Sequence, residues 1–103
     1  MHNVFVYGTL KENREDTHEV NAEMWSVGSF PCVKLQGKSY IPGQILNVTD
    51  EELASLDRYE GVPSLYTRQE VMAFDKNTRQ NSQKCWIYEW ATDTDGLERI
   101  DRW

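Results

Sequence analysis

The stretch Val-Phe-Val-Tyr-Gly-Thr-Leu, residues 4–10, leads an apolar alternating segment directly into a glycine and a small hydroxyl residue. β-Branched and aromatic residues with a period of two predict a strand near the start of the chain. Gly8 has no Cβ, so the backbone after this strand can turn sharply or approach a ligand closely. The junction is therefore either a plain strand-to-loop connection or a loop that offers backbone N–H groups to a cavity.

A second informative stretch is Leu-Asp-Arg-Tyr-Glu-Gly-Val-Pro-Ser-Leu-Tyr-Thr-Arg, residues 56–68. It predicts the end of a helix, a bend marked by a proline and the start of a new strand. Apolar neighbours of Glu60 would partly desolvate its carboxyl group and raise its pKa toward neutrality, where it can accept and return a proton. The alternative is a solvated glutamate at a helix C-terminus, and the local sequence leaves both interpretations open.

Together, these two motifs resemble the gamma-glutamylcyclotransferase-like superfamily, in particular its short branch close to gamma-glutamylamine cyclotransferase. Three weaker matches follow in order along the chain: residues 42–46 (PGQIL), 85–88 (CWIY) and 100–103 (IDRW). Gln44 stands where the family usually has a glutamate. The loop 11–18 (KENREDTH) replaces a segment that commonly carries a glycine and an Asn-His pair.

The resemblance implies a reaction and a set of site residues. Glu60 would be the catalytic acid/base, and the substrate-binding residues would be Tyr7, Gly8, Thr9 and Leu10. The α-amino group of a γ-glutamyl amine would attack its own γ-carbonyl, close the ring of 5-oxoproline and release a free amine. Because nucleophile and electrophile belong to one substrate, no cofactor, metal ion or protein nucleophile is expected.

Two other functional classes remain open. The chain could be a non-catalytic small-molecule-binding protein in which Glu60 only accepts hydrogen bonds in the same pocket. It could also be a protein-interaction module that uses its acidic surface, since its formal net charge is -6. No heptad pattern or apolar stripe indicates an oligomeric state, and no feature identifies the leaving amine.

Length and composition limit the alternatives further. A chain of 103 residues predicts a single domain spanning residues 1–103. Its acidic excess argues against nucleic acid as a partner, because phosphate binding needs clustered Lys and Arg. No apolar run approaches the ~20 residues of a membrane span and no signal peptide opens the chain, so we expect a cytoplasmic protein without a membrane partner.

Cysteine and histidine usage gives no metal signature. Cys32 and Cys85 are far apart in sequence, and His2 and His18 are not spaced to complete a metal site with them. Two reduced thiols are expected in a chain without a secretion signal.

The remaining elements predict the fold class. Extended segments are predicted at about 22–35 and 40–48, after a polar loop at 11–21, and strands at about 66–74 and 84–91. Thr49-Asp-Glu-Glu52 is a capping box that predicts a helix start. Strands outnumber helices, which predicts an α+β domain with a mainly antiparallel sheet and one or two short helices. The resemblance sharpens this to a small barrel-like sheet with a pocket.

Several other side chains have two interpretations. Tyr66 and Arg68 either orient Glu60 or pack on one strand face. Trp86, Tyr88 and Trp90 share a strand face, an arrangement more typical of a core than of a ligand platform. Trp103 either closes the pocket or covers the core.

Overall fold

The computed structural model describes residues 1–103 and contains eight strands and one helix. In chain order these elements are β1 (His2–Val6), β2 (His18–Asn21), β3 (Glu23–Ser26), β4 (Pro31–Lys34), β5 (Tyr40–Val48), α1 (Asp50–Tyr59), β6 (Tyr66–Asp75), β7 (Gln83–Trp90) and β8 (Glu98–Ile100). The predicted α+β class with a small barrel-like sheet is confirmed. The helix is too short and too polar to cross a bilayer.

Five strands form a closed barrel in the order β1-β5-β2-β6-β7. Neighbouring strands pair antiparallel except at the closure, where β1 meets β7 in parallel with Val4 opposite Trp86. The hairpin of β6 and β7 runs in register from Tyr66 opposite Trp90 to Ala73 opposite Gln83. Since β1 and β7 are neighbours, the loop that follows β1 emerges beside the aromatic residues of β7.

The other three strands form a separate sheet in the order β4-β3-β8. The single extended segment predicted over 22–35 is therefore wrong: it is a hairpin whose turn is closed by Val27 N–H donating to the Phe30 carbonyl at 2.9 Å. The polar loop predicted over 11–21 is also too long, because β2 begins at His18 and pairs with β5 and β6.

Apolar side chains from both sheets pack into one core cluster. Phe5 and Ile87 from the barrel contact Met24 and Val33 from the small sheet, and all four are fully buried. A second cluster joins Leu53 of α1 with buried residues of the barrel and of the small sheet, and α1 packs against β5; burying such a side chain stabilises the fold by about 1.5–3 kcal/mol. This contact fixes the helix against the barrel.

The predicted capping box at the start of α1 is confirmed. The Thr49 hydroxyl accepts from Glu52 N–H at 3.1 Å, while the Glu52 carboxylate accepts from Thr49 N–H at 2.8 Å. The capping box and the burial of Leu53 fix the position of the helix on the barrel. Glu60 follows at its C-terminal end.

Candidate functional site

A cavity of about 260 Å³ lies between the barrel, the small sheet and the end of α1. Its walls are residues 5–10, 29–31, 59–60, 65–66 and 88. The five residues singled out from the sequence, Tyr7 to Leu10 and Glu60, all line this cavity although half the chain separates them. The fold therefore brings the two motifs together.

The backbone of Glu60 is held by the hydrogen bonds that end the helix. Glu60 N–H donates to the Leu56 carbonyl at 2.8 Å, and Gly61 N–H donates to the Arg58 carbonyl at 3.1 Å. Val62 N–H then donates to the Asp57 carbonyl at 3.0 Å, which completes a Schellman motif. Gly61 has a φ of 67°, the left-handed conformation that this motif requires and that glycine adopts without strain.

The carboxyl group of Glu60 is electrostatically unusual. Burial raises its pKa to about 7 from an ordinary value of 4.5. A helix C-terminus carries partial negative charge, which acts in the same direction on the pKa of a carboxylate. Its carboxyl oxygens accept no hydrogen bond from the chain, so they are available to a ligand in both protonation states.

The loop after β1 supplies hydrogen-bond donors to the same cavity. The N–H groups of Gly8, Thr9 and Leu10 have no acceptor within the chain, whereas the Gly8 carbonyl accepts from Lys11 N–H at 3.0 Å. Adjacent backbone N–H groups without a partner can bind a carboxylate or a carbonyl oxygen. This arrangement agrees with the second interpretation of the junction that the sequence left open.

Gly8 is needed here for a packing reason that the sequence did not reveal. A Cβ on Gly8 would lie only 2.5 Å from Pro31 Cγ and 2.9 Å from Pro31 Cδ. Pro31 begins β4, so the proline ring fills the space where a side chain would be. Trp103 Cδ1 would lie 3.9 Å from the same Cβ, and Trp103 does not line the cavity.

Three buried tyrosines, Tyr7, Tyr66 and Tyr88, line the cavity together with Glu60. The Tyr7 hydroxyl donates to the Tyr88 carbonyl at 2.7 Å, the Tyr66 hydroxyl to the Pro31 carbonyl at 2.8 Å, and the Tyr88 hydroxyl to Asp57 Oδ1 at 2.8 Å. Burial raises the pKa of each phenol, and the nearby Glu60 carboxylate adds to the increase. Each phenol therefore keeps its proton, and with that proton already donated its oxygen can only accept from a ligand.

Arg68 acts through Asp57 and not on Glu60. Its guanidinium donates twice to the Asp57 carboxylate, at 2.8 and 3.1 Å, and its Cζ lies 4.3 Å from the ring centroid of Trp86. The same carboxylate accepts from Tyr88, so this ion pair holds Tyr88 in the cavity wall. Tyr66, in contrast, lines the cavity directly.

The aromatic side chains on one face of β7 have different surroundings. Trp90 packs edge-on against Tyr66 with ring centroids 5.2 Å apart, and Trp86 packs on Arg68. Tyr88 alone of these three residues lines the cavity. Tyr88 is also 3% exposed and belongs to a core cluster, so the expected core role holds for it and the cavity wall is a second role.

Sequence reasoning missed the wall formed by Ser29, Phe30 and Pro31. These residues lie where a continuous extended segment was predicted. Their signals in the sequence are the Gly28-Ser29 pair and Pro31, residue types that are typical of turns.

Gln44 fixes the polar loop beyond the cavity. Its buried amide accepts from Glu12 N–H at 2.8 Å and donates to the carbonyls of Glu12 and Arg14 at 2.9 and 2.7 Å. An ionised glutamate has no donor and would leave the Arg14 carbonyl without a partner, whereas the Glu12 carbonyl also accepts from Arg14 N–H at 2.8 Å. The glutamine is therefore suited to this loop.

No group of three or more His, Cys, Asp or Glu side chains is arranged to hold a metal ion. Cys32 and Cys85 are both buried free thiols.

Comparison with known proteins gives consistent results. The family model described as "Gamma-glutamyl cyclotransferase, AIG2-like" matches residues 4–103. Gamma-glutamylaminecyclotransferase of Rattus norvegicus is 30% identical over 120 aligned residues that cover 89% of this chain and 80% of the relative. Gamma-glutamylaminecyclotransferase A of Danio rerio is 28% identical over 94% of this chain and 74% of the relative.

Solved structures agree on the fold. An AIG2-like protein of Mus musculus superposes with a TM-score of 0.78 at 22% identity, over 100% of this chain and 88% of the other. A protein of Arabidopsis thaliana superposes with a TM-score of 0.73 at 25% identity, over 91% of this chain and 72% of the other.

Proposed function

Because the chain belongs to the AIG2-like gamma-glutamyl cyclotransferase family, and is thus a cyclotransferase-type enzyme, we propose that it converts a γ-glutamyl amine into 5-oxoproline and a free amine. One observation carries the proposal: Glu60 lines the same cavity as the unpartnered N–H groups of Gly8, Thr9 and Leu10. A proton carrier and a set of fixed donors are the two requirements of this ring closure.

The proposed binding mode follows from donors and acceptors. The N–H groups of residues 8–10 bind the γ-carbonyl oxygen and stabilise the oxyanion that forms when this carbonyl is attacked. The phenolic oxygens of Tyr7, Tyr66 and Tyr88 accept from the α-ammonium group, which is a pure donor. The substrate is thereby held folded, with its nucleophile beside its electrophile.

Glu60 is the proposed proton carrier. Its carboxylate takes a proton from the α-ammonium, and the free amine attacks the γ-carbonyl carbon to form the new C–N bond. Protonated Glu60 then delivers this proton to the leaving nitrogen as the old C–N bond breaks. It next takes the second proton from the ring nitrogen, and this proton departs with the amine as an ammonium ion.

The proposal extends to the protein's context. Residues 1–103 act as one domain, and the substrate is a small molecule. Both cysteines are free thiols, which supports a reducing, cytoplasmic location.

Lactam formation from γ-glutamyl butylamide tests the proposal. Glu60→Gln keeps size and hydrogen bonding but removes basicity, so turnover should fall by about 10² or more with the fold intact. Glu70→Gln is the matched control, because Glu70 pairs with Lys84 at 3.6 Å and lies outside the cavity. Near-normal turnover in Glu60→Gln would dismiss the role of Glu60. Binding without turnover in the wild type would identify a binding protein.

A further inference from the structure

We propose that Tyr59, Leu65 and Phe30 form a subsite for the hydrocarbon part of the leaving amine, so that the preferred substrates are γ-glutamyl derivatives of uncharged alkyl or aryl amines. This inference rests on the proposed function, since it names the amine that the reaction releases. Its supporting observations are the exposure, the position and the charge of the side chains that line the cavity beside Glu60.

The first observation is the exposure of two apolar side chains at the cavity. Tyr59 is 67% exposed and Leu65 is 43% exposed, and both line the cavity. The other large apolar side chains that reach the surface, Met1, Tyr40, Met72 and Trp103, do not line it. A ligand that covers Tyr59 and Leu65 removes apolar surface from water, which favours binding of a hydrocarbon group.

The second observation is the position of these side chains beside Glu60. Tyr59 directly precedes Glu60, and Leu65 folds back on the helix end, where its N–H donates to the Gly61 carbonyl at 2.9 Å. A Cβ on Gly61 would lie 3.1 Å from Leu65 Cβ. Glu60 protonates the leaving nitrogen in the proposed reaction, so the substituent on that nitrogen extends along Tyr59 and Leu65.

Phe30 gives the subsite a fixed wall. It belongs to the turn between β3 and β4 and lines the same cavity. Its ring lies 6.5 Å from the ring centroid of Tyr66 and 6.1 Å from that of Trp90, in tilted contacts that hold it in place.

The third observation is the charge of the lining. Glu60 is its only charged residue, and no lysine or arginine is among the 14 residues of the wall. A carboxylate on the leaving amine would find no cation there and would be repelled by ionised Glu60. A distal ammonium group would lose water against Tyr59 and Leu65, and its attraction to Glu60 is lost once Glu60 is protonated to deliver its proton to the leaving nitrogen. Uncharged amines avoid both penalties.

Matched substrates test the subsite. The γ-glutamyl derivatives of butylamine, 1,4-diaminobutane and 4-aminobutyrate share a four-carbon chain and differ in the charge at its end. We expect kcat/KM to be highest for the butylamide, by about tenfold over each charged derivative. Equal or better use of either charged derivative would overturn the proposal.

Variants of Leu65 test whether this side chain contacts the alkyl chain of the leaving amine. Leu65→Ser should lower kcat/KM for the butylamide by about 5-fold to 10-fold and leave the methylamide within about 2-fold, because only the longer chain reaches Leu65. Met72→Ser is the matched control, since Met72 is 42% exposed and lies outside the cavity. An equal loss for both amides in Leu65→Ser would contradict the subsite.

The methylamide also separates the two proposals. Lactam formation from it depends on the reaction and not on the subsite. If no amide is turned over, the proposed function fails, and calorimetry of butylamide and methylamide binding decides on the subsite. Tighter binding of the butylamide that Leu65→Ser abolishes would support it, and equal affinities would refute it.

Discussion

At the scale of single residues, Glu60 combines a fixed backbone with an unbound carboxyl group. Three helix-end hydrogen bonds hold the main chain around it, whereas its carboxyl oxygens accept nothing from the protein. Burial brings its pKa to about 7, so both protonation states are populated near neutrality. A group that must take a proton and return it benefits from this balance, since neither transfer is strongly uphill.

The pH dependence of turnover follows from this pKa. Ionised Glu60 is needed to accept the ammonium proton, so kcat/KM should rise with pH along an acidic limb whose apparent pKa is about 7. Amine release measured between about pH 5 and about pH 9 checks it. Glu60→Asp should keep a limb but lose rate, because its carboxyl group is one methylene shorter. A flat profile in both proteins would remove Glu60 from the mechanism.

The raised pKa of Glu60 also predicts how the free energy of unfolding changes with pH. Between 4.5 and about 7 the folded chain holds a proton on Glu60 that the unfolded chain has released. The free energy of unfolding therefore contains a contribution that falls as pH rises through this window. Urea midpoints at the two ends of the window should show the fall in the wild type and a smaller fall in Glu60→Gln. An identical fall in the two proteins would contradict the assigned pKa.

The contact between Gly8 and Pro31 gives a second residue-scale prediction. A Cβ on Gly8 would lie 2.5 Å from Pro31 Cγ, so Gly8→Ala should destabilise the fold by about 1–3 kcal/mol through overpacking. Pro31→Ala removes the obstructing ring atoms. The double variant should therefore be more stable than the sum of the single effects predicts, by about 0.5–3 kcal/mol. Urea denaturation of the four proteins measures this coupling, and strict additivity would refute the contact.

At the scale of elements, α1 is the element that positions Glu60 at the cavity. Its start is fixed by the Thr49 capping box, its face by Leu53 and its end by Gly61. The hydrogen bonds of the Schellman motif then determine where the chain turns and where Glu60 lies. The helix thus acts as a rigid support whose last turn presents the carboxyl group to the cavity.

Substitution of two glycines tests whether the end of α1 positions Glu60, apart from any effect on the stability of the fold. Gly61 and Gly96 both have positive φ values, 67° and 80°, and alanine in this region costs about 1–2 kcal/mol. Gly61→Ala and Gly96→Ala should therefore both lose stability, and Gly61→Ala should lose more, because its Cβ would also lie 3.1 Å from Leu65 Cβ whereas a Cβ on Gly96 meets nothing within 4 Å. Only Gly61→Ala should also lower kcat/KM of the folded protein, because Gly61 directly follows Glu60 at the end of α1, whereas Gly96 lies in the loop between β7 and β8. Equal activity in the two variants would show that the helix end does not position Glu60.

The elements that the sequence predicted correctly are those with local signals. The strand at 40–48 and the capped helix agree with the observed β5 and α1. Both signals, apolar alternation and helix capping, depend only on residues that are neighbours in sequence. β8 was missed because three residues that include one apolar side chain form no recognisable pattern. The turn before Phe30 was missed because apolar residues on both sides resembled one long strand.

The site was predictable only in part. Glu60 and residues 7–10 came from two motifs, but the wall at residues 29–31 depends on the packing of β4 against β7, a contact between distant segments. Tyr88 could not be assigned from its strand alone, since its alternation is the same for core and cavity. The role of Asp57 in holding Tyr88 could not be predicted either, because its partners Arg68 and Tyr88 lie on other elements.

At the scale of the whole molecule, the barrel and the small sheet share one core, so residues 1–103 should unfold together. Cys85 in the barrel and Cys32 in the small sheet are natural probes, because both thiols are buried and burial raises the pKa of each to about 11. Pulsed thiol labelling of Cys32→Ala and Cys85→Ala across a urea gradient should give the same midpoint once corrected for each variant's stability. Earlier labelling of Cys32 would show that the small sheet unfolds independently.

The cavity has walls from the barrel, from the turn before β4 and from the end of α1, and it therefore exists only while these three parts are docked. A ligand in it contacts all of them and binds the native chain alone. Mass action then adds about 2.7 kcal/mol to the unfolding free energy at a ligand concentration of ~100 times Kd. The thermal midpoint of the protein should accordingly follow the supply of its substrate, and a cell rich in the ligand would retain more of the enzyme against proteolysis.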